Sequence, residues 1–179
     1  MAGRAPKRRV TTSGFTGQGP RRFAIVAARF NEAISERLVD GARDAFEAAK
    51  IPAEDVEVHW VPGSFELPQA ASLLAARGGY AAIVCVGCVI RGETPHFDFV
   101  AGEAAAGIRE VGVRTGVPTT FGVITALTEE QALARAGGAV GNRGAEAAEA
   151  ALEMAEFVAR LGEAPSRRHA ARSTAHRRR

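Results

Sequence analysis

The chain has 179 residues, 46% of them hydrophobic and 24% charged, the size of one ordinary domain able to bury a core. It shows no apolar run long enough for a bilayer and no secretory-signal core, so membrane-embedded and exported classes are not expected and a soluble, cytoplasmic protein is. The net charge of +3 conceals a segregation: residues 1–22 and 165–179 hold six Lys/Arg each and no acid, leaving 23 − 12 = 11 basic residues against all 20 acidic ones, a net of −9 between them.

The expected organisation is therefore a disordered basic extension over 1–21, one domain over 22–162 and a disordered basic tail over 163–179. Both ends mix Gly, Ser, Thr, Ala and Arg without periodicity and cannot bury enough surface to offset ordering entropy. Weak electrostatic contact with RNA is one reading of such tails and an inert solvated extension is the other; no aromatic residue stands among the C-terminal arginines to stack on bases. The N-terminal stretch also has an acid-free, Arg- and Thr-containing composition like an organellar transit peptide, but it is short and weakly amphipathic.

In chain order, Phe23–Ala28 reads as a first buried strand. Asn31 to Lys50 then sets Ile34, Leu38, Ala42, Ala45, Phe46 and Ala49 on one stripe, an amphipathic helix ended at Ile51-Pro52. Val56–Trp60 is a second strand, leading through Val61-Pro62-Gly63 into a helix that Ser64 can cap and Gly78-Gly79 can end. Residues 81–90 form a strand apolar on both faces, and the Gly92-Glu93-Thr94-Pro95 that follows suits a tight loop entering a helix over Phe97–Arg114. Val117–Thr125 is the fourth strand, and Thr128–Ala136 and Asn142–Leu161 a closing helical pair, with Gly137, Gly138, Gly141 and Gly144 read as chain breaks between them. Alternating strands and helices predict right-handed crossovers and a mainly four-stranded parallel sheet flanked by helices.

Cys85 and Cys88 make a C-x-x-C, but their odd separation inside a strand sends them to opposite faces, and no second Cys/His pair is near; they read as small core residues, not as a redox or metal site. No Walker sequence or G-x-G-x-x-G after a strand occurs, so a nucleotide cofactor is not indicated. Phe30-Asn31, Gly63 to Glu66, Arg91 to His96 and Thr125 all fall at the carboxyl ends of strands, where α/β proteins collect ligands in one crevice. His96 is the one histidine placed there, too few ligands for a metal. It reads either as a loop histidine packing on Phe97 or capping a helix, or as a proton carrier beside an anion seat made by Thr94 and the helix N-terminus.

Arg29-Phe30-Asn31, Val61 to Pro68, Gly92 to Asp98, Pro118 to Thr125, and Glu130-Gln131-Ala132 through Arg135 to Gly144 follow one another without large gaps. Together they resemble 6,7-dimethyl-8-ribityllumazine synthase, an enzyme family of riboflavin biosynthesis. The resemblance implies a flavodoxin-like three-layer α/β/α sandwich and a cofactor-free condensation of 5-amino-6-(D-ribitylamino)uracil with 3,4-dihydroxy-2-butanone 4-phosphate. It further implies that Phe30 stacks on the pyrimidine, that Asn31, Ser64, Phe65 and Glu66 bind the ring edge and ribityl chain, and that Val89 and Ile90 offer main-chain contacts. Glu93 and Thr94 would seat the phosphate and His96 move protons, while a neighbouring subunit adds Phe121 and Arg135. The implied partners are copies of the chain, as pentamers or multiples of pentamers up to icosahedral shells, and riboflavin synthase. Arg143 stands where the family often has lysine and is a further candidate; Ala126-Leu127 and Ala139 also depart from the pattern. Each residue has a plainer reading: Phe30, Phe65 and Phe121 as core aromatics, Glu66 as a first-turn charge, Arg135 as a solvated helix residue. Two rival functions stay open, a binding protein that holds a flavin- or pterin-like ring without turnover and a nucleic-acid-binding assembly protein.

Overall fold

The computed structural model describes residues 22–162; the expected basic extensions lie outside the described residues. Four strands, β1 (Arg22–Ala28), β2 (Val56–Val61), β3 (Tyr80–Ile90) and β4 (Thr119–Ala126), form one sheet in the order β2-β1-β3-β4 with every pairing parallel. Helices α1 (Glu32–Ala48), α2 (Leu67–Arg77), α3 (His96–Thr115), α4 (Glu129–Leu133) and α5 (Arg143–Gly162) cover it. The expected flavodoxin-like three-layer sandwich is what the chain forms.

The period of two along a strand divides the core in half. Phe23, Ile25 and Ala27 face the α1 and α5 side, where the Phe23 and Phe46 rings lie 4.8 Å apart, and Ala24, Val26 and Ala28 face α2 and α3. β1 and β3 are central and buried through most of their length, whereas every residue of edge strand β2 is half-exposed. Cys85 belongs to the α2–α3 side and Cys88 to the α1–α5 side, both as free thiols. Burial pushes the Cys85 thiol up to about 12 and, with a smaller push from Glu129, the Cys88 thiol up to about 11, so neither is a ready thiolate.

The structure corrects the sequence reading at four places. Ser64 does not cap α2: a short 3₁₀ turn over Ser64–Glu66 comes first, and the helix begins at Leu67 with Pro68 in its first turn, where a missing N–H costs nothing. β4 starts at Thr119, not Val117, because Pro118 has no N–H to give the ladder. The closing helical pair is a five-residue α4, capped by the Thr128 hydroxyl accepting from Gln131 N–H at 3.3 Å, then an antiparallel hairpin of β5 (Ala136–Gly138) and β6 (Gly141–Asn142) before α5. Gly144 is no break between helices: it lies buried inside α5, where an added Cβ would collide with the Leu38 carbonyl of α1. The adjacent Asn142 joins the two helices, its Nδ2 donating to Arg37 O at 2.8 Å while its Oδ1 accepts from Gly144 N–H at 2.8 Å.

The order β2-β1-β3-β4 has one reversal. From β1 the chain crosses outward to β2 through α1, then returns past β1 to β3 through α2. The connections diverge between β1 and β3, so their carboxyl ends open a crevice at the switch point.

Candidate active site

A cavity of about 660 Å³ occupies that switch point. Its wall is built from Phe30, Pro62, Gly63, Ser64, Phe65, Glu66, Cys88, Val89, Ile90, Gly92, Thr94, His96, Phe97, Phe99 and Val100. Eight of the thirteen residues singled out from the sequence therefore meet here: Phe30, Ser64, Phe65, Glu66, Val89, Ile90, Thr94 and His96.

Phe30 stands where the β1–β2 ladder overruns the strand: Arg29 N–H donates to Val61 O at 2.8 Å and Phe30 N–H to Pro62 O at 3.0 Å. Its backbone is held while its ring stays 73% exposed, a flat apolar plate facing the crevice. Asn31 turns the chain with φ 62 and ψ 46, the left-handed region, and its carbonyl accepts the first N–H groups of α1 from Ile34 and Ser35. The Asn31 amide Nδ2 donates to Cys88 O at 3.0 Å. Phe30 and Asn31 thus tie the end of β1 to both its neighbours.

Ser64 is buried beside β3, at a spot open only because residue 87 is glycine: a Cβ there would stand 2.8 Å from Ser64 Oγ. Gly63 likewise leaves room for the Glu66 carboxylate, 3.1 Å from where its Cβ would be. On β3, pairing with β1 stops at Val86 while pairing with β4 runs on to Ile90. No residue of β1 is paired with β3 past Val86, and the Asn31 amide takes the Cys88 carbonyl of that stretch.

The turn after β3 opens with Arg91 N–H donating to Ala126 O at 2.9 Å. The N–H groups of Gly92, Glu93 and Thr94 donate to no protein acceptor among the described residues, which suits an anion seat. His96 is the first residue of α3, one position deeper into the helix than the sequence suggested, and its side chain is exposed in the crevice wall. Glu93 is exposed but not part of that wall, and Arg91 is turned onto Asp98 instead.

Five of the thirteen are not among the wall residues: Asn31 and Glu93, which flank it, and Phe121, Arg135 and Arg143. Phe121 is 42% exposed in the middle of β4, opposite Cys85. The Arg135 guanidinium donates to Gln131 O at 2.9 Å beside the hairpin, and Arg143 is ion-paired with Glu146. Thr125, expected at the crevice, is an exposed residue within β4 and not part of the wall. Sequence reasoning missed Phe99 and Val100 and treated Phe97 only as packing. Their signal was spacing: three and four residues beyond His96, Phe99 and Val100 share its helix face. No Lys or Arg lines the wall, and no cluster of three metal-ligating side chains exists among the described residues.

Residues 20–159 match the family model described as 6,7-dimethyl-8-ribityllumazine synthase. A protein of Arabidopsis thaliana named "6,7-dimethyl-8-ribityllumazine synthase, chloroplastic" is 49% identical over 153 residues, covering 86% of this chain and 67% of that one. Among solved structures, a de novo designed Rossmann fold protein aligns with 62% of this chain and 90% of its own at 19% identity and a TM-score of 0.34.

Proposed function

The chain belongs to the 6,7-dimethyl-8-ribityllumazine synthase family and makes that lumazine for riboflavin biosynthesis, and we propose that the reaction runs in the crevice between Phe30, Glu66 and His96. The observation that carries the assignment is the meeting of eight candidate residues from three separate strand ends in one cavity.

In the proposed arrangement the Phe30 ring stacks on the uracil of 5-amino-6-(D-ribitylamino)uracil, and the free main chain near Ile90 reads its edge. The Ser64 hydroxyl donates and accepts hydrogen bonds and the Glu66 carboxylate accepts them along the ring edge and ribityl hydroxyls, with Asn31 and Phe65 beside them. Thr94 and the free N–H groups around Glu93 hold the phosphate of 3,4-dihydroxy-2-butanone 4-phosphate. Condensation of the 5-amino group with the ketone gives an imine and water. Loss of a carbon-bound proton then expels the phosphate as the carbon–oxygen bond breaks. The enol left by this elimination tautomerises to a new carbonyl, which the ribitylamino nitrogen attacks, closing the ring with a second loss of water. His96, at the phosphate end of the cavity, is the proposed proton carrier.

A phosphate dianion without a cation in the wall leaves the site incomplete in one chain. Arg135 and Phe121 belong to β4 and the segment after it, at the opposite edge of the sheet from β2. A ring of copies would set this second group against the crevice of the next subunit, so we propose a pentamer or a multiple of pentamers with shared sites, Arg143 being a further contact of the same edge. Riboflavin synthase, which consumes the product, and RNA bound weakly by the basic ends are proposed as partners on sequence grounds alone. The proposed compartment is the cytoplasm; among the described residues no helix is long and apolar enough to cross a membrane.

Kinetics with both substrates test the roles. His96→Ala should lower kcat by about 10²-fold while binding persists, since proximity alone still favours the condensation. Arg135→Ala should raise KM for the butanone phosphate and leave that for the ribitylaminouracil nearly unchanged. An unaltered kcat removes His96 from the mechanism, and parallel losses for both substrates remove Arg135 from the phosphate.

A further inference from the structure

The turn that carries Thr94 is bracketed by an ion pair that the chemistry above does not use. Arg91 Nη2 lies 2.5 Å from Asp98 Oδ1, and the Arg91 guanidinium carbon stands 4.9 Å from the centre of the Phe97 ring. Phe97 is itself part of the crevice wall, so the guanidinium stacks on a ring that the cavity touches. Asp98 N–H donates to Pro95 O at 2.9 Å, which fixes the carboxylate in the first turn of α3.

Both side chains are about half exposed, at 47% and 56%. An ion pair that wet adds little to fold stability, so its value lies in where it puts charge. A carboxylate in the first turn suits the helix dipole by itself, but it opposes a dianion bound at the same N–H groups. Glu93 adds a second negative charge to the turn, and the wall holds no cation. We propose that Arg91 is a positioning residue for the phosphate-bearing substrate: it masks the Asp98 carboxylate at the N-terminus of α3, beside the turn that holds Thr94 and His96. The inference rests on the assignment of the phosphate to this turn.

Charge masking and a simple structural clamp differ in the sign of the single variants. Arg91→Gln unmasks Asp98 and should raise KM for the butanone phosphate roughly threefold to tenfold at low salt, shrinking as salt is added. Asp98→Asn frees Arg91 for the dianion and should lower that KM, and Arg91→Gln/Asp98→Asn together should return it to within about twofold of the starting chain. KM for the ribitylaminouracil should stay nearly constant throughout. Competition by inorganic phosphate should follow the same order, which keeps the test usable for slow variants. Should Arg91→Gln fail to fold, Arg91→Lys, which keeps the charge, and Asp98→Asn carry the comparison. A rise in KM on Asp98→Asn, a double variant no better than Arg91→Gln, or equal effects on both substrates overturns the masking role. Thr94→Ala separates the two assignments: an unchanged KM for the butanone phosphate in that variant means that the phosphate is held elsewhere, and it is then the seat that fails.

Discussion

A phenylalanine left 73% exposed next to a residue in the left-handed region concentrates unfavourable features at one chain reversal. Phe30 and Asn31 are tolerated there because hydrogen bonds to Pro62 O and Cys88 O over-determine the backbone. Asparagine visits this conformation at low cost, glycine at none, and alanine at about 1 kcal/mol or more. Asn31→Gly and Asn31→Ala both delete the tie to Cys88 O, but only the alanine variant is strained. We therefore expect Asn31→Ala to be less stable than Asn31→Gly by about 1 kcal/mol in thermal melts. Both should raise KM for the ribitylaminouracil by a similar several-fold factor, through a less fixed Phe30. A glycine variant with an unaltered KM would show that the amide does not position the ring.

Among the elements, the half-buried edge strand β2 needs an anchor most, and it has one at its amino end. Glu57 accepts from Tyr80 Oη at 2.6 Å and from Arg22 Nη1 at 2.7 Å, binding β2 to the starts of β3 and β1. His59 Nε2 lies 3.3 Å from the same carboxylate without forming a hydrogen bond. The Tyr80 hydroxyl, helped by Arg22 and opposed by partial burial, holds the Glu57 carboxyl below its usual 4.5. A lowered carboxylate contributes stability that is present above its unfolded value and lost as pH falls through the folded one. Burial and the bond to Glu57 raise the Tyr80 phenol above 10.0, a contribution present below that pH and lost only as pH rises through the higher folded value. Tyr80→Phe should accordingly cost about 1 kcal/mol near neutral pH, the carboxylate being partly solvated. The difference from the starting chain should shrink below the usual Glu57 value of 4.5. Denaturant unfolding across the acid limb measures it, and a difference independent of pH there would exclude Glu57 as the partner that matters.

For the whole molecule, the arrangement of crevice and β4 edge makes a prediction about mixtures. Chains carrying His96→Ala and chains carrying Arg135→Ala, each impaired alone, form some junctions in which His96 and Arg135 are both intact once they co-assemble. In a closed ring with shared heterologous sites, activity should partly return in proportion to the statistics of neighbours. A site complete within one chain allows no rescue. Mixed rings confirmed by native mass spectrometry, yet no more active than the mean of the two parents, would refute the shared site.

Much of this molecule is written locally. Helical stripes such as Ile34, Leu38, Ala42 and Phe46, the apolar run of β3 and the alternation of strands with helices specify a parallel sandwich, because periodicity and burial act over a few residues. The motifs at and just past the strand ends carried the family and eight of the residues that line the cavity. Other features depend on contacts between distant segments. The Gly144 approach to Leu38, the Asn142 bridge, the Asn31 tie to Cys88 and the stacking of Arg91 on Phe97 arise only when separate elements dock. The split of the candidate site into a crevice at the carboxyl ends of the central strands β1 and β3 and Phe121 with Arg135 at the β4 edge was likewise decided by strand order, since a linear sequence names residues for a site but only the sheet determines which of them face the same space.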